Sequence, residues 1–495
     1  MPQRLKVLMA ASEAVPFAKT GGLADVTGAL PKALAHLGVD ARLILPKYPM
    51  KGDFDLTEVN HRLKVPISNR LESIRVLSTT AGGVKAYFIE SNRHYNRPGL
   101  YGDAKGDYWD NAERFTLFSR GILEALPHLD NWQPDIIHCN DWQSALVPLF
   151  LKTAYKNDPF YSSIATLFTV HNLAYQGVFW AEDFHLLTGL SKKEVFTING
   201  LEFYGKLNFM KGGLLYADSL NTVSKKYAEE IQTEEYGCGL EGVLRYRRDE
   251  LYGVLNGIDY TEWDPAKDKF IARPFERGNF EGKEEDKKAL LAEVGLPYKK
   301  NVPLIGIVSR LAAQKGFDIL AEVIDDLMEE DLQIVLLGTG DQRYHKLFTK
   351  IRKKHKDKIV VLLGYDNAVA HKIYAGSDMF LMPSRYEPCG LGQLISLKYG
   401  TIPVVRATGG LADTIYEFDH RGRRGNGFVF EEPSGAELLA TINRALSVYH
   451  HKQVWKAMVK RAQAADFSWD TSAKEYLKLY KHAIEKRQRG VSSQK

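Results

Sequence analysis

The six residues Thr20–Asp25, TGGLAD, occur a second time as Thr408–Asp413. An identity of that length at two distant points of one chain constrains the fold more than any other feature of the sequence. Each copy follows an apolar run that reads as a strand, Lys6–Ala11 before the first and Ile402–Val405 before the second, and each precedes an amphipathic run. After the first copy Val26, Leu30, Ala33, Leu34 and Leu37 recur at helical spacing and Gly38 closes the segment. Paired glycines allow positive φ and close backbone approach, and the first N–H groups of a helix lack partners, so a strand–glycine loop–helix unit suits an anion. Two copies imply two similar α/β halves, each offering a glycine loop to a shared cleft. At 495 residues the chain exceeds what one hydrophobic core usually supports, which agrees.

Between the copies the pattern is α/β throughout. IRVLST and VKAYFIES flank Gly82-Gly83 and read as a hairpin, residues 92–109 as a long loop carrying Tyr101 and Asp103, and Phe115, Phe118, Ile122 and Leu126 as one face of a helix stopped by Pro127. Asp135–His138 reads as a buried strand with Asn140 and Asp141 past its end, and Ile164–Val170 as another with His171 just beyond it. In open parallel sheets the chemistry gathers at the carboxyl ends of strands, which makes Asp141 and His171 candidates. After the strand Ser219–Val223 and the glycine-dense YGCGLEG at 236–242, residues 264–285 are charged and irregular, and the domain junction is expected there. Past it, a strand Pro303–Val308 leads to Arg310 and Lys315. Two cations five residues apart, one a planar fork and one a mobile point charge, suit a diphosphate. The densest motif is SRYEPCGLGQL. Glu387 stands at a strand's carboxyl end, and Pro388–Gly392 form a glycine loop entering a helix, so a carboxylate able to bind sugar hydroxyls sits beside N–H groups able to meet phosphate oxygens. Ser434 and Glu437 read as a capping box, and Trp469–Arg487 as a long terminal helix with Tyr476, Tyr480 and Ile484 on one side.

A net charge of only +5 speaks against nucleic acid as the main partner. The short basic clusters, RYRR at 245–248, RGRR at 421–424 and the tail after Glu485, read as solvated surface. Three cysteines give neither a disulfide framework nor a metal spacing, no apolar run reaches the roughly 18 residues of a membrane span, and Asp53-Phe54-Asp55 reads as a turn rather than a metal site. A cytoplasmic protein is expected, or a stromal one in a plastid-bearing host.

KTGGLADV, HNLAYQG, SRLAAQKG, SRYEPCGLGQL and ATGGLADT, in this order and nearly end to end, make the chain resemble the bacterial glycogen synthases and plant starch synthases, the ADP-glucose-dependent glucosyltransferases of the GT-B fold. The resemblance implies two Rossmann-like domains facing across a deep cleft, 1–257 on the acceptor glucan side and 258–469 on the nucleotide-sugar side, with the helix at about 470–495 packing back on the first. It implies retaining transfer of glucose from ADP-glucose to the 4-hydroxyl of an α-1,4-glucan, releasing ADP, with no cofactor and no metal. Arg310 and Lys315 match positions that hold the diphosphate, Glu387 the donor glucose, and His171 and Asp141 the catalytic centre. Lys19, Gly21 and Gly22 match the loop over the diphosphate and the acceptor. Cys389, Gly390 and Leu391 match the loop under the glucose, and Thr408, Gly409 and Gly410 the phosphate loop. Ile395 stands where the sucrose-synthase-like branch carries a second carboxylate. UDP-glucose as main donor, a phosphorylase-like enzyme with pyridoxal phosphate, and a glucan-binding protein without activity are the rival readings.

Overall fold

A computed structural model describes residues 4–50, 52–419 and 424–492. The chain forms two compact units, one of Met1–Val223, Ala228–Val254 and Trp469–Lys495, the other of Ser224–Tyr227 and Leu255–Ser468. Both are α/β, and the main strands of each sheet are parallel.

In the first unit the strands β1 (Lys6–Ala10), β2 (Asp40–Pro46), β3 (Thr57–Ile67), β4 (Arg70–Ala81), β5 (Val84–Glu90), β6 (Ile136–Asn140), β7 (Ala165–Val170), β8 (Ser219–Thr222) and β9 (Leu251–Gly253) make one sheet in the order β9-β8-β7-β6-β1-β2-β5-β4-β3. Strands β6 and β7 are buried at every residue, as strands covered on both faces must be. The helix α1 (Gly22–His36) lays Val26, Leu30, Ala33 and Leu34 against Val7 and Met9, and the terminal helix Trp469–Ser492 adds Trp469, Ala473, Tyr476 and Tyr480 to the same core. The expected hairpin is the far half of a three-stranded antiparallel meander. Its first strand, β3, carries no clear sequence signal because alternation there is broken by register shifts at Asn60 and by the polar turn at Ser68. The loop at 92–109 contains a short helix, Asn92–Tyr95, and a two-residue hairpin. RYRR is not wholly solvated surface either. The Arg247 guanidinium donates to the carbonyls of Leu214, Leu215 and Ala217, closing the end of the helix Phe209–Tyr216. Of RGRR, residues 421–423 lie outside the described residues.

In the second unit β10 (Leu304–Val308), β11 (Gln333–Gly338), β12 (Ile359–Leu363), β13 (Met379–Met382), β14 (Ile402–Arg406) and β15 (Phe428–Phe430) form a parallel sheet in the order β12-β11-β10-β13-β14-β15. The stretch read as irregular to residue 285 gives way earlier to the helix Phe280–Val294, capped by the Asn279 side chain at its start and by left-handed Gly295 at its end. That helix lacks an apolar stripe because two of its inward groups are lysines. Lys283 donates to the carbonyls of Ala375 and Tyr399 and to Thr401, and Lys287 to Val302 and Asp378. Only the donor half of the capping box at Ser434 forms, with Glu437 N–H on the serine hydroxyl.

The two TGGLAD copies do not hold equivalent places. The first follows β1, the first strand of its sheet, and opens a 15-residue helix, whereas the second follows β14 and opens the short helix Gly409–Thr414. The repeat is a repeated loop, not a repeated domain position.

Candidate functional site

Each sheet has a point where strand order reverses, between β1 and β6 in the first unit and between β10 and β13 in the second. Helices on either side of such a point diverge and leave a crevice at the strand ends, where ligands bind. The candidate residues collect at these two places.

In the second unit β10 runs into Arg310, the turn Ala313–Lys315 and Gly316, while β13 runs into Ser384 and Glu387. The two loops are folded onto each other. Arg385 N–H donates to the Gln314 carbonyl at 2.9 Å and the Gln314 side chain to the Tyr386 carbonyl at 3.3 Å. Gly316 makes this approach possible: its φ is +69°, and a Cβ there would lie 1.8 Å from the Pro383 carbonyl oxygen. Lys315 Nζ is thereby held 2.6 Å from Glu387 Oε2, which also accepts from the Ser384 hydroxyl at 3.0 Å. Glu387 is buried, and this pairing compensates the loss of water around its charge. Arg310 is exposed and makes one long contact, 3.4 Å, with Gln314.

Beside this pair two glycine loops interlock. The Gly410 N–H donates to the carbonyls of Glu387 and Pro388, and a Cβ on Gly409 or Gly410 would lie 2.0 Å from the carbonyl oxygen of Glu387 or Cys389. These glycines are therefore demanded by loop-on-loop packing, a reason additional to the ligand approach expected of them. Thr408 stands at the N-cap position of the short helix Gly409–Thr414, and Leu391 precedes the helix Gly392–Lys398. Burial pushes the Cys389 thiol up to about 12, so it lines the loop as a neutral apolar group.

In the first unit the glycine loop is built differently. The carboxylate of Glu13, just past β1, accepts from the N–H of Thr20, the N–H of Gly21, the Thr20 hydroxyl and the Tyr101 hydroxyl. The amides of Thr20 and Gly21, just ahead of the first turn of α1, are thus engaged by a carboxylate of the chain itself. Lys19 pairs with Asp25 at 2.6 Å across the exposed side of the loop, and Gly22 begins α1. Sequence reasoning does not single out Glu13. Its one signal is a carboxylate standing just past a buried strand, in a run otherwise largely apolar.

At the other side of the reversal, β6 ends at Asn140 and β7 at Val170. Asp141 has φ +53° and ψ −177°, a conformation costly for any residue with a side chain and found where function demands it. Its carboxylate accepts the His171 N–H at 2.8 Å. The Asn140 amide donates to the Ala10 and His138 carbonyls, so its oxygen is the acceptor and His171 Nε2, 2.9 Å away, carries a hydrogen. Desolvation lowers His171 to about 3 and raises Asp141 to about 7, giving a neutral imidazole beside a carboxyl group that titrates near neutrality. The loop continues to Gly177, whose backbone lies on the Trp142 ring, and Gln176 donates to the Cys238 carbonyl, bracing it against the YGCGLEG loop.

One further cluster has metal-ligand spacing among the described residues. Glu72, His94 and Glu113 bring ligand atoms within 4.8 Å of one another, but Arg70 and Arg93 pair with both carboxylates, so it is an ion-pair network. Asp53 and Asp55 lie ahead of β3 in the surface segment that precedes it, and no described helix is long and apolar enough to cross a membrane.

Residues 6–246 match the family model described as starch synthase catalytic domain, and residues 292–462 that of glycosyl transferases group 1. A glycogen synthase of Koribacter versatilis is 48% identical over 480 residues, covering 97% of this chain and 98% of that one. A glycogen synthase of Moorella thermoacetica is 48% identical over 493 residues, covering 98% of each. Among solved structures, the catalytic domain of starch synthase IV from Arabidopsis thaliana, bound to ADP and acarbose, superposes with a TM-score of 0.90 at 34% identity, covering 98% of this chain and 100% of that one.

Proposed function

The chain belongs to the glycogen and starch synthase family of glycosyltransferases, and on that premise we propose that it transfers glucose from ADP-glucose to the non-reducing 4-hydroxyl of an α-1,4-glucan with retention, releasing ADP. The observation that carries the proposal is the Lys315–Glu387 pair at the strand reversal of the second unit, beside Arg310. The acceptor and donor classes are supported by the glycogen synthase relatives and by the ADP and acarbose bound to the Arabidopsis enzyme. Bacterial relatives of this kind support a cytoplasmic setting.

Cleaving the bond between glucose and diphosphate builds negative charge on the departing oxygen and positive charge on the ring. Arg310 and Lys315 are two cations for the first, Lys315 held in place by Glu387 and Arg310 exposed beside it, and charge placed ahead of the reaction is usually the largest catalytic contribution. Such a pair does the work that a divalent ion does elsewhere, so the reaction proceeds without one. Glu387 has one oxygen taken by Lys315 and Ser384, which weakens it as a nucleophile and favours attack by the glucan hydroxyl on the face the diphosphate leaves. The neutral His171, donating through Nε2 to Asn140, and Asp141 beside it are assigned to the reacting sugar, with Lys19 and the Gly21-Gly22 loop assigned to the diphosphate and the acceptor. Cys389, Gly390 and Leu391, with Thr408, Gly409 and Gly410, are assigned to the glucose and phosphates.

The test is transfer of labelled glucose from ADP-glucose and, separately, UDP-glucose onto glycogen in EDTA. Efficient transfer from ADP-glucose is expected. Preference for UDP-glucose would replace the donor, loss of the reaction in EDTA would refute metal independence, and a folded, glycogen-binding protein inert with both donors would refute catalysis.

A further inference from the structure

Beneath the ends of β6 and β7 a run of side chains begins and finishes on the terminal helix. Tyr480 Oη lies 2.9 Å from His138 Nδ1, His138 Nε2 2.6 Å from Thr169 Oγ1, Thr169 Oγ1 2.5 Å from Asn221 Oδ1, and Asn221 Nδ2 3.3 Å from Tyr476 Oη. All five side chains are fully buried. The hydrogens can be placed by inventory. The Asn221 carbonyl oxygen has none to give, so Thr169 donates to it. Thr169 has no second hydrogen, so His138 donates through Nε2. Burial holds His138 neutral, at about 3, so its Nδ1 is bare and accepts from Tyr480. The order is Tyr480 to His138 to Thr169 to Asn221 to Tyr476, with every link pointing the same way.

Burying five polar groups in place of five apolar ones is costly unless each is satisfied, and what a fully satisfied network supplies beyond an apolar core is one fixed arrangement. The position of this one says what it fixes. His138 stands two residues before Asn140 on β6, and Thr169 on β7 stands two residues before His171, the residue just past that strand's end; alternate residues of a strand share a face. The His138–Thr169 bond therefore lies one step below the Asn140–His171 bond along the same two segments of chain. Nothing in the expected machinery uses His138, Asn221 or the tyrosine hydroxyls.

We propose that the terminal helix orients the Asn140–His171 pair through this network, with Tyr480 and His138 as positioning residues for glucosyl transfer. The proposal rests on His171 serving that transfer. It makes the last element of the chain, which comes after the whole second unit in sequence, a determinant of active-site geometry in the first.

The test compares Tyr480→Phe, His171→Ala and Tyr161→Phe in steady-state transfer from ADP-glucose to glycogen, with thermal melts of each. Tyr161 is a matched control: its buried hydroxyl donates to the Leu123 carbonyl at 2.9 Å in the same unit, away from the network. Expected are a loss of roughly a hundredfold or more in His171→Ala, a roughly tenfold lower kcat with unchanged KM in Tyr480→Phe, and an unchanged kcat in Tyr161→Phe despite a comparable loss in Tm. A Tyr480→Phe enzyme that melts early but turns over normally overturns the positioning role and leaves His171 intact. Normal turnover in His171→Ala overturns both. If Tyr480→Phe does not fold, Tyr476→Phe serves: a kcat lowered about threefold at constant KM upholds the proposal, and an unchanged kcat refutes it.

Discussion

Asp141 is held in a backbone conformation suited to glycine, with its carboxyl raised to about 7 by burial. A carboxyl whose folded pKa lies above its unfolded value of about 4 binds more protons in the folded chain, so its ionisation works against folding. The penalty is absent below about pH 4, grows as pH rises, and is complete above about pH 7. Asp141→Asn keeps an oxygen for the His171 N–H and removes the charge. It is expected to raise Tm at pH values above the folded pKa, to lose that gain as the melt is repeated toward pH values below the unfolded one, and to lower turnover. A Tm gain independent of pH would contradict the titration. The side chains assigned to this chemistry are legible in the sequence because strand ends are recognisable: Asp141 and His171 stand directly past them, and Arg310, Lys315 and Glu387 stand in the loops that follow. Their pairings are not. No spacing rule brings Lys315 onto Glu387 or Glu13 onto the first glycine loop, since the first contact depends on how two loops fold against each other and the second on how one loop folds back on itself.

Among the elements, the loop Arg310–Gly316 depends most on a single backbone position. Gly316→Ala forces φ +69° on a residue with a Cβ and drives that carbon into the Pro383 carbonyl. Left-handed strain and overpacking each cost about 1–3 kcal/mol, so a loss of about 2–6 kcal/mol is expected, read as a shifted midpoint of the second unit in urea. A midpoint unmoved by the change would show that the two loops do not need this approach. Glycine loops are the easiest feature to find in this sequence and the easiest to over-read. The same six letters fold once around a buried carboxylate and once against a neighbouring loop, because Glu13 stands just past β1 whereas the backbone of Glu387–Cys389 lies beside the loop after β14. The meander strand Thr57–Ile67 is hidden for the opposite reason, its alternation being interrupted.

For the molecule as a whole, the terminal helix closes the first unit's core. Trp469, Tyr476, Leu479 and Tyr480 are buried there, and at about 1.5–3 kcal/mol each their burial amounts to about 6–12 kcal/mol, comparable with the whole stability of an ordinary domain. A chain ending at residue 468 is expected to lose the first unit's cooperative melt, and its retention would refute the assignment of that helix to the core. The α/β class and the family are readable from end to end because five motifs recur in order. The small break at residues 224–227, which join the second unit, carries no sequence signal.

The most direct measurement is the steady-state rate at which a Lys315→Ala protein with an unaltered melt transfers labelled glucose from ADP-glucose to glycogen. If Lys315 stabilises the departing diphosphate, kcat falls by about a hundred- to a thousandfold. Turnover within a few fold of the unaltered enzyme would contradict the assignment of Lys315 and, with it, the reading of the Lys315–Glu387 pair as the centre of the site.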